Sequence, residues 1–239
     1  EVDRIISLPK LKNHELMYFT GAIKNTLGLV PGFSKAKQHA RFQDRESFSR
    51  FLVYLNEKIT PHFFLIDGIM SMDGRGPAQG NPVSTGVLIG SSNPLAIDII
   101  ASQIAGYKPH DIPTIHFGLS RAKWLATTDE ILYDGPPLET VIKKDFRKVT
   151  ITRNTNISIR FLKNRLSFLR KLERRPDFIP KQCTGCMECI KICPQNAISM
   201  HPEKKNHVVL TDTDCIRCYC CSEVCNHNAV VIRLKIFGP

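Results

Sequence analysis

No run of this chain approaches the ~20 consecutive apolar residues that a membrane-spanning helix needs, so a helical span within it is excluded. The start, Glu1-Val2-Asp3-Arg4, has neither a basic stretch followed by a long apolar one nor an initiator Met. No secretory signal is expected there. The compartment read from that is the cytoplasm, and the first domain is expected to lack part of its N-terminal sequence. Cysteine is missing from residues 1–182, and all nine cysteines follow. Thiol chemistry is therefore confined to the C-terminal end, where a reducing compartment favours metal ligation over disulfides. Acidic residues are nearly missing from residues 143–176, which hold two Asp/Glu against twelve Lys/Arg.

That segment accounts for most of the formal net charge of +11. Residues 1–142 hold 14 Lys/Arg and 14 Asp/Glu, and residues 177–239 hold 7 and 6. One basic segment between two neutral domains argues against a nucleic-acid-binding fold throughout. It suits a local patch that meets an acidic partner. The domains read from this are 1–142, a basic helical linker over 143–176, and 177–239.

The first of these reads as α/β with a mixed or mostly parallel sheet covered by helices. Ile5–Leu8, His62–Ile66 and Val87–Ile89 are short apolar runs followed by turn signals, which suits buried strands. Asp44 is placed to cap a helix in which Phe48, Phe51, Leu52, Leu55 and Ile59 recur at helical spacing before Pro61. A second helix is predicted from Pro94 to near Gly106. Its Asp98 stands among Leu95, Ile97 and Ile99, where the helix dipole or an ion pair would hold it, the other reading being a role in a site. Residues 68–86, with five glycines and two prolines, read as a long irregular loop after a strand, where ligands gather in α/β sheets. Ile159, Leu162, Leu166 and Leu169 place an apolar face on a helix within the linker.

At the C-terminal end, Cys183, Cys186, Cys189 and Cys193 follow C-x2-C-x2-C-x3-C, with Pro194 next. Cys215, Cys218, Cys221 and Cys225 repeat the spacing 32 residues later. The same offset maps Asn196-Ala197 onto Asn228-Ala229, the mark of an internal duplication. Three cysteines at i, i+3 and i+6 wrap one side of a cubane, and the fourth of each run ligates the other cluster. The expected sets are Cys183, Cys186, Cys189 and Cys225 for one 4Fe-4S cluster, and Cys193, Cys215, Cys218 and Cys221 for the other. A zinc module would use two separated C-x2-C pairs closing one tetrahedron, which is a poorer match. Ligation by Cys220 would break the spacing, so it reads as a non-ligating thiol. This end resembles the two-cluster bacterial ferredoxins over about residues 177–239. It departs from them in having Asn226 where that family has proline after the last cysteine.

The first ~125 residues carry Leu8-Pro9-Lys10-Leu11-Lys12-Asn13-His14, then Thr20-Gly21-Ala22-Ile23-Lys24-Asn25. Ile66-Asp67-Gly68, Met72-Asp73-Gly74-Arg75-Gly76-Pro77 and Asn93-Pro94-Leu95-Ala96-Ile97-Asp98 follow. In this order they resemble the domain of unknown function 362, often fused to a ferredoxin module. Read physically, Lys10, Lys12, His14, Lys24 and Asn25 face Asp67 and the glycine-rich stretch at Gly74 and Gly76. Point charges beside exposed backbone amides suit a small anionic ligand. The function expected is iron-sulfur electron transfer, as an oxidoreductase component exchanging electrons with a redox protein or with an anionic substrate on the first domain. The other reading is a docking subunit of a larger redox complex.

Overall fold

The computed structural model describes residues 2–31, 34–42, 44–151 and 174–234. The chain divides into two compact units, Glu1–Thr150 and Ile151–Pro239.

In the first unit, β1 (Ile6–Ser7) and β2 (Lys10–His14) follow one another along one edge of β4 (Phe63–Arg75), both parallel to it. β3 (Tyr18–Thr20) folds back antiparallel on β2. β5 (Gln79–Ser91) pairs antiparallel along the other edge of β4. The sheet is therefore mixed. Alternation puts Phe64 and Ile66 in the core with Leu11 from β2, while Phe63, Met70 and Leu88 stay exposed on the opposite face.

The expected loop at 68–86 is instead most of a long hairpin, with pairs running from Phe64↔Ser91 to Arg75↔Gln79. Its glycines serve close approach rather than irregularity. A Cβ on Gly76 would strike the backbone carbonyl of Asn13, and one on Gly68 would press on Val87. Only the tip, residues 76–78, is turn.

The helices are α1 (Ala22–Asn25), α2 (Ser34–Arg41), α3 (Arg45–Ile59), α4 (Pro94–Ile104), α5 (Pro113–Arg121) and α6 (Leu138–Val141). Asp44 caps α3 by accepting from the Ser47 amide at 2.8 Å. Asn93 caps α4, its Oδ1 accepting from the Leu95 and Ala96 amides at 3.0 and 3.1 Å. Phe48 and Leu52 of α3, Leu95 and Ile99 of α4 and Ile115 of α5 are buried. Each such side chain contributes about 1.5–3 kcal/mol of hydrophobic stabilisation. The buried side of α3 also takes in Val53 and Asn56, so it is rotated from the predicted stripe, and Phe51, Leu55 and Ile59 lie at its margin.

The basic linker is narrower than its charge suggests. Phe146 and Val149 are buried, and the Lys143 amide donates to the Ile104 carbonyl at 2.8 Å. These residues belong to the first unit. Arg174–Phe178 forms β6 of the second. The helical face expected over 159–172 lies outside the described residues.

The second unit is built twice. β6 pairs with β9 (Val230–Leu234), and β7 (Ile198–Met200) pairs with β8 (Val208–Leu210), both antiparallel. Short helices α7 (Glu188–Lys191) and α8 (Cys220–Glu223) are offset by the same 32 residues as the cysteines. The backbone repeats in detail: left-handed φ values recur at Gly185 and Arg217 (73° and 57°), Met187 and Tyr219 (63° and 63°), and Asn196 and Asn228 (51° and 53°). The Ile179 amide bonds the Ala229 carbonyl at 2.8 Å, and the equivalent Thr211 amide bonds Ala197 at 2.9 Å.

Candidate functional site

Each left-handed turn before α7 and α8 bends three cysteines around a hollow. Cys183, Cys186, Cys189 and Cys225 line one cavity, walled by Phe178, Val208 and Val230. Cys193, Cys215, Cys218 and Cys221 line a second, walled by Pro176, Ile198 and Leu210. Cys193 and Cys225 follow the short helices, which carry each of them away from its own run and to the cavity of the other.

The donor set fits iron-sulfur chemistry. All nine cysteines are free thiols. Among the described residues no three His, Cys, Asp or Glu side chains converge closely enough to hold a single metal ion. Four sulfurs spaced around a hollow suit a larger group than zinc. Burial pushes the Cys189 thiol up to about 11, and the neighbouring Cys183, Cys186 and Cys225 add to the rise. Burial also raises Cys221, with Cys218, Cys215, Cys189 and Cys193 contributing. Crowded, desolvated thiols resist ionisation unless a cation takes up the thiolate charge. The Ala197 amide already points at Cys193 Sγ, at 3.3 Å.

Cys220 is buried and also lines the second cavity. Its hydrogen bond with Cys218 is the largest cause holding its proton on, ahead of burial.

In the first unit, Lys10 Nζ meets Asp67 Oδ2 at 2.7 Å across β2 and β4, both side chains being nearly half exposed at 43% and 46%. That hydrogen bond, then one from the Ile69 amide, holds the Asp67 carboxyl below its ordinary value. Lys12 Nζ donates to the Pro77 carbonyl at 3.2 Å. The Gly74 carbonyl accepts from Asn13 Nδ2 at 3.2 Å, and that of Gly76 from the Glu15 amide at 3.1 Å. The fold thus joins Lys10 to Asp67, and Lys12 to the hairpin tip at Pro77, which follows Gly76, with Gly74 at the adjoining end of β4. His14 is buried, and its Nδ1 accepts from the Leu16 and Met17 amides at 3.1 and 3.3 Å. Lys24 and Asn25 lie on α1, where Asn25 Nδ2 donates to Ser7 Oγ at 2.9 Å.

Two polar networks escape sequence reading. The Arg147 guanidinium and amide grip the buried Asp73 carboxylate at 2.9–3.1 Å. Nearby, Tyr107 OH donates to Asn13 Oδ1 at 2.8 Å and accepts from the Val149 amide at 3.0 Å. Asp98 differs from its predicted role in the dipole of its own helix. It accepts from the amides of Ala22 and Ile23 at 2.5 and 3.1 Å, and so caps α1.

The second unit is a small 4Fe-4S ferredoxin-like domain, a class that supports electron transfer. The comparisons with known proteins agree. Residues 182–229 match the 4Fe-4S dicluster domain and residues 1–103 match the domain of unknown function (DUF362). The chain is a fusion of the two. The thylakoid-associated protein sll1697 of Synechocystis sp. is 33% identical over 179 residues, covering 70% of this chain and 56% of that protein. The chain therefore spans about half the length of that relative. The archaeal-type glutamate synthases (NADPH) of Thermotoga sp. and Thermotoga maritima are 27% identical over 66 residues, 26% of this chain and 13% of theirs. No solved structure matches. No helix among the described residues is long and apolar enough to cross a membrane.

Proposed function

We propose that this protein is a cytoplasmic electron-transfer component of an oxidoreductase system, holding two 4Fe-4S clusters and exchanging electrons with a redox protein. The carrying observation is the pair of cavities, each lined by three spaced cysteines of one run and the last cysteine of the other, with Cys220 also lining the second. Cys183, Cys186, Cys189 and Cys225 would hold one cluster, and Cys193, Cys215, Cys218 and Cys221 the other. Each bound cluster supplies a one-electron carrier. The chain's own contribution is a low-dielectric setting from Phe178, Ile198, Val208, Leu210 and Val230, which limits water at the sulfurs.

For the first unit, an anion site at Lys12 and the glycine-bearing hairpin tip competes with a docking role. Lys10 is already neutralised by Asp67, which leaves less free charge for a substrate. The exposed Phe63, Met70 and Leu88 on one sheet face favour docking on a larger redox complex. Anaerobic purification with iron and sulfide assay tests the electron-transfer reading: about eight of each per chain is expected. Zinc without sulfide would end it.

A further inference from the structure

The two halves of the second unit share their backbone but differ in one buried charge. Gly185 adopts a left-handed φ of 73°, which glycine accepts freely. Its counterpart, Arg217, is held at 57°. A non-glycine residue persists there only when its surroundings hold it, and such positions cluster at functional sites. The Arg217 side chain is 9% exposed. Its Nη1 donates to the Cys215 carbonyl at 3.1 Å and its Nη2 pairs with Asp212 at 3.3 Å. Asp212 is shared with Arg175 at 3.4 Å. Glu223 adds a negative charge near Cys218 and Cys220. In the first half Gly185 and Pro180 stand at the positions of Arg217 and Asp212, and the Glu188–Lys191 pair on its short helix, at 2.7 Å, is 48% and 58% exposed, where solvent screens it.

Resting on the two-cluster reading, we propose that Arg217 is a redox-tuning residue that raises the reduction potential of the site formed by Cys193, Cys215, Cys218 and Cys221. One-electron reduction adds one negative charge to that site. The electron comes from an external one-electron donor, and no proton moves, since a guanidinium stays charged at any working pH. A buried positive charge at the ligand loop favours the reduced state, and low local dielectric magnifies the effect. The first site has glycine at this position, so its loop supplies no such charge there.

The test is a redox titration of the anaerobically purified full chain, reduced stepwise with dithionite and followed by electron paramagnetic resonance. The second site's step is the one that Cys193→Ser perturbs. Arg217→Gly copies the loop of the first half and relieves the left-handed strain, so folding is retained. It should lower the second midpoint by about tenfold in the reduction equilibrium, or about 59 mV for a one-electron step. The first midpoint should stay in place. Arg217→Lys, which keeps the charge, should restore most of the shift. Asp212→Asn removes the opposing anion and should move the same midpoint the other way. An unmoved midpoint in Arg217→Gly at full iron content overturns the proposal, as do shifts of one sign in both Arg217→Gly and Asp212→Asn, which mark a disturbed loop. About four iron per unaltered chain overturns the two-cluster reading beneath it, a result separable from an unmoved potential.

Discussion

The carboxylate of Asp98 occupies the space that a side chain on Gly21 would need. Glycine at 21 lets a buried acid reach the first two amides of α1, groups that the short helix cannot satisfy itself. Burial pushes this acid from 3.8 up to about 7, against the pull of the Ile23 and Ala22 amides.

Gly21→Ala should therefore destabilise the first unit by about 1–3 kcal/mol through overpacking. Trp124 is the single tryptophan and lies in that unit, so its fluorescence reports the unfolding. The pH dependence has a definite sign. The unfolded chain releases the Asp98 proton near 3.8 and the folded chain near 7. The folded state thus binds the extra proton between those values, and stability falls as pH rises across that window. Asp98→Asn should flatten this slope. An unchanged slope in the variant would assign the dependence to other groups.

Arg147 and Asp73 make a second prediction. Burial is the largest single influence and pushes the carboxyl up, but the hydrogen bonds and charge of Arg147, with a hydrogen bond from Asn81, together keep it below its ordinary value. Arg147→Ala would leave a buried acceptor partly unmet, at about 1–3 kcal/mol. Because the Asp73 value is depressed, its stabilisation holds at neutral pH and fades as pH falls through the carboxylate range. The loss in the variant should therefore shrink in acid, measured by denaturant melts at two pH values.

The cysteine crossing gives the third. Cys193→Ser should damage the site of Cys215, Cys218 and Cys221 and spare that of Cys183, Cys186 and Cys189. Iron should fall from about eight to about four per chain. Cys220→Ala should leave iron and sulfide unchanged. Iron loss in the Cys220 variant would show that the register is shifted by one residue.

The two cysteine runs that line the cavities were legible in sequence because their spacing is local. Spacings of three and four residues carry the ligand pattern, and the 32-residue repeat states it twice. The cap of α3 was legible for the same reason, since Asp44 acts within three residues; the same reach of Asn93 at α4 was there to be read but was not. What escaped depends on distant partners. Gly68 and Gly76 have the composition of a loop, yet each is demanded by a neighbouring strand. Asp98 meets amides 75 and 76 positions away, and Asp73 meets a guanidinium 74 positions away. No local pattern encodes those pairings.

The last prediction concerns the basic stretch. Twelve Lys/Arg against two Asp/Glu over residues 143–176 make a positive segment that adjoins the second unit in sequence. Such a field speeds the approach of anions and slows that of cations, and salt weakens it over a screening length of about 8–10 Å. Oxidation of the reduced chain by an anionic complex such as ferricyanide should therefore slow as salt rises. Oxidation by a cationic cobalt hexaammine should quicken. The residues to reverse are Arg170, Lys171 and Arg174. Arg175 is left in place because it shares Asp212 with Arg217, so its loss would disturb the second site itself. Changing the three to Glu lowers the net charge of the segment from +10 to +4 and should weaken both salt trends while iron content and midpoint potentials stay put. Unchanged trends would mean that the stretch is a solvated connector with no part in partner approach.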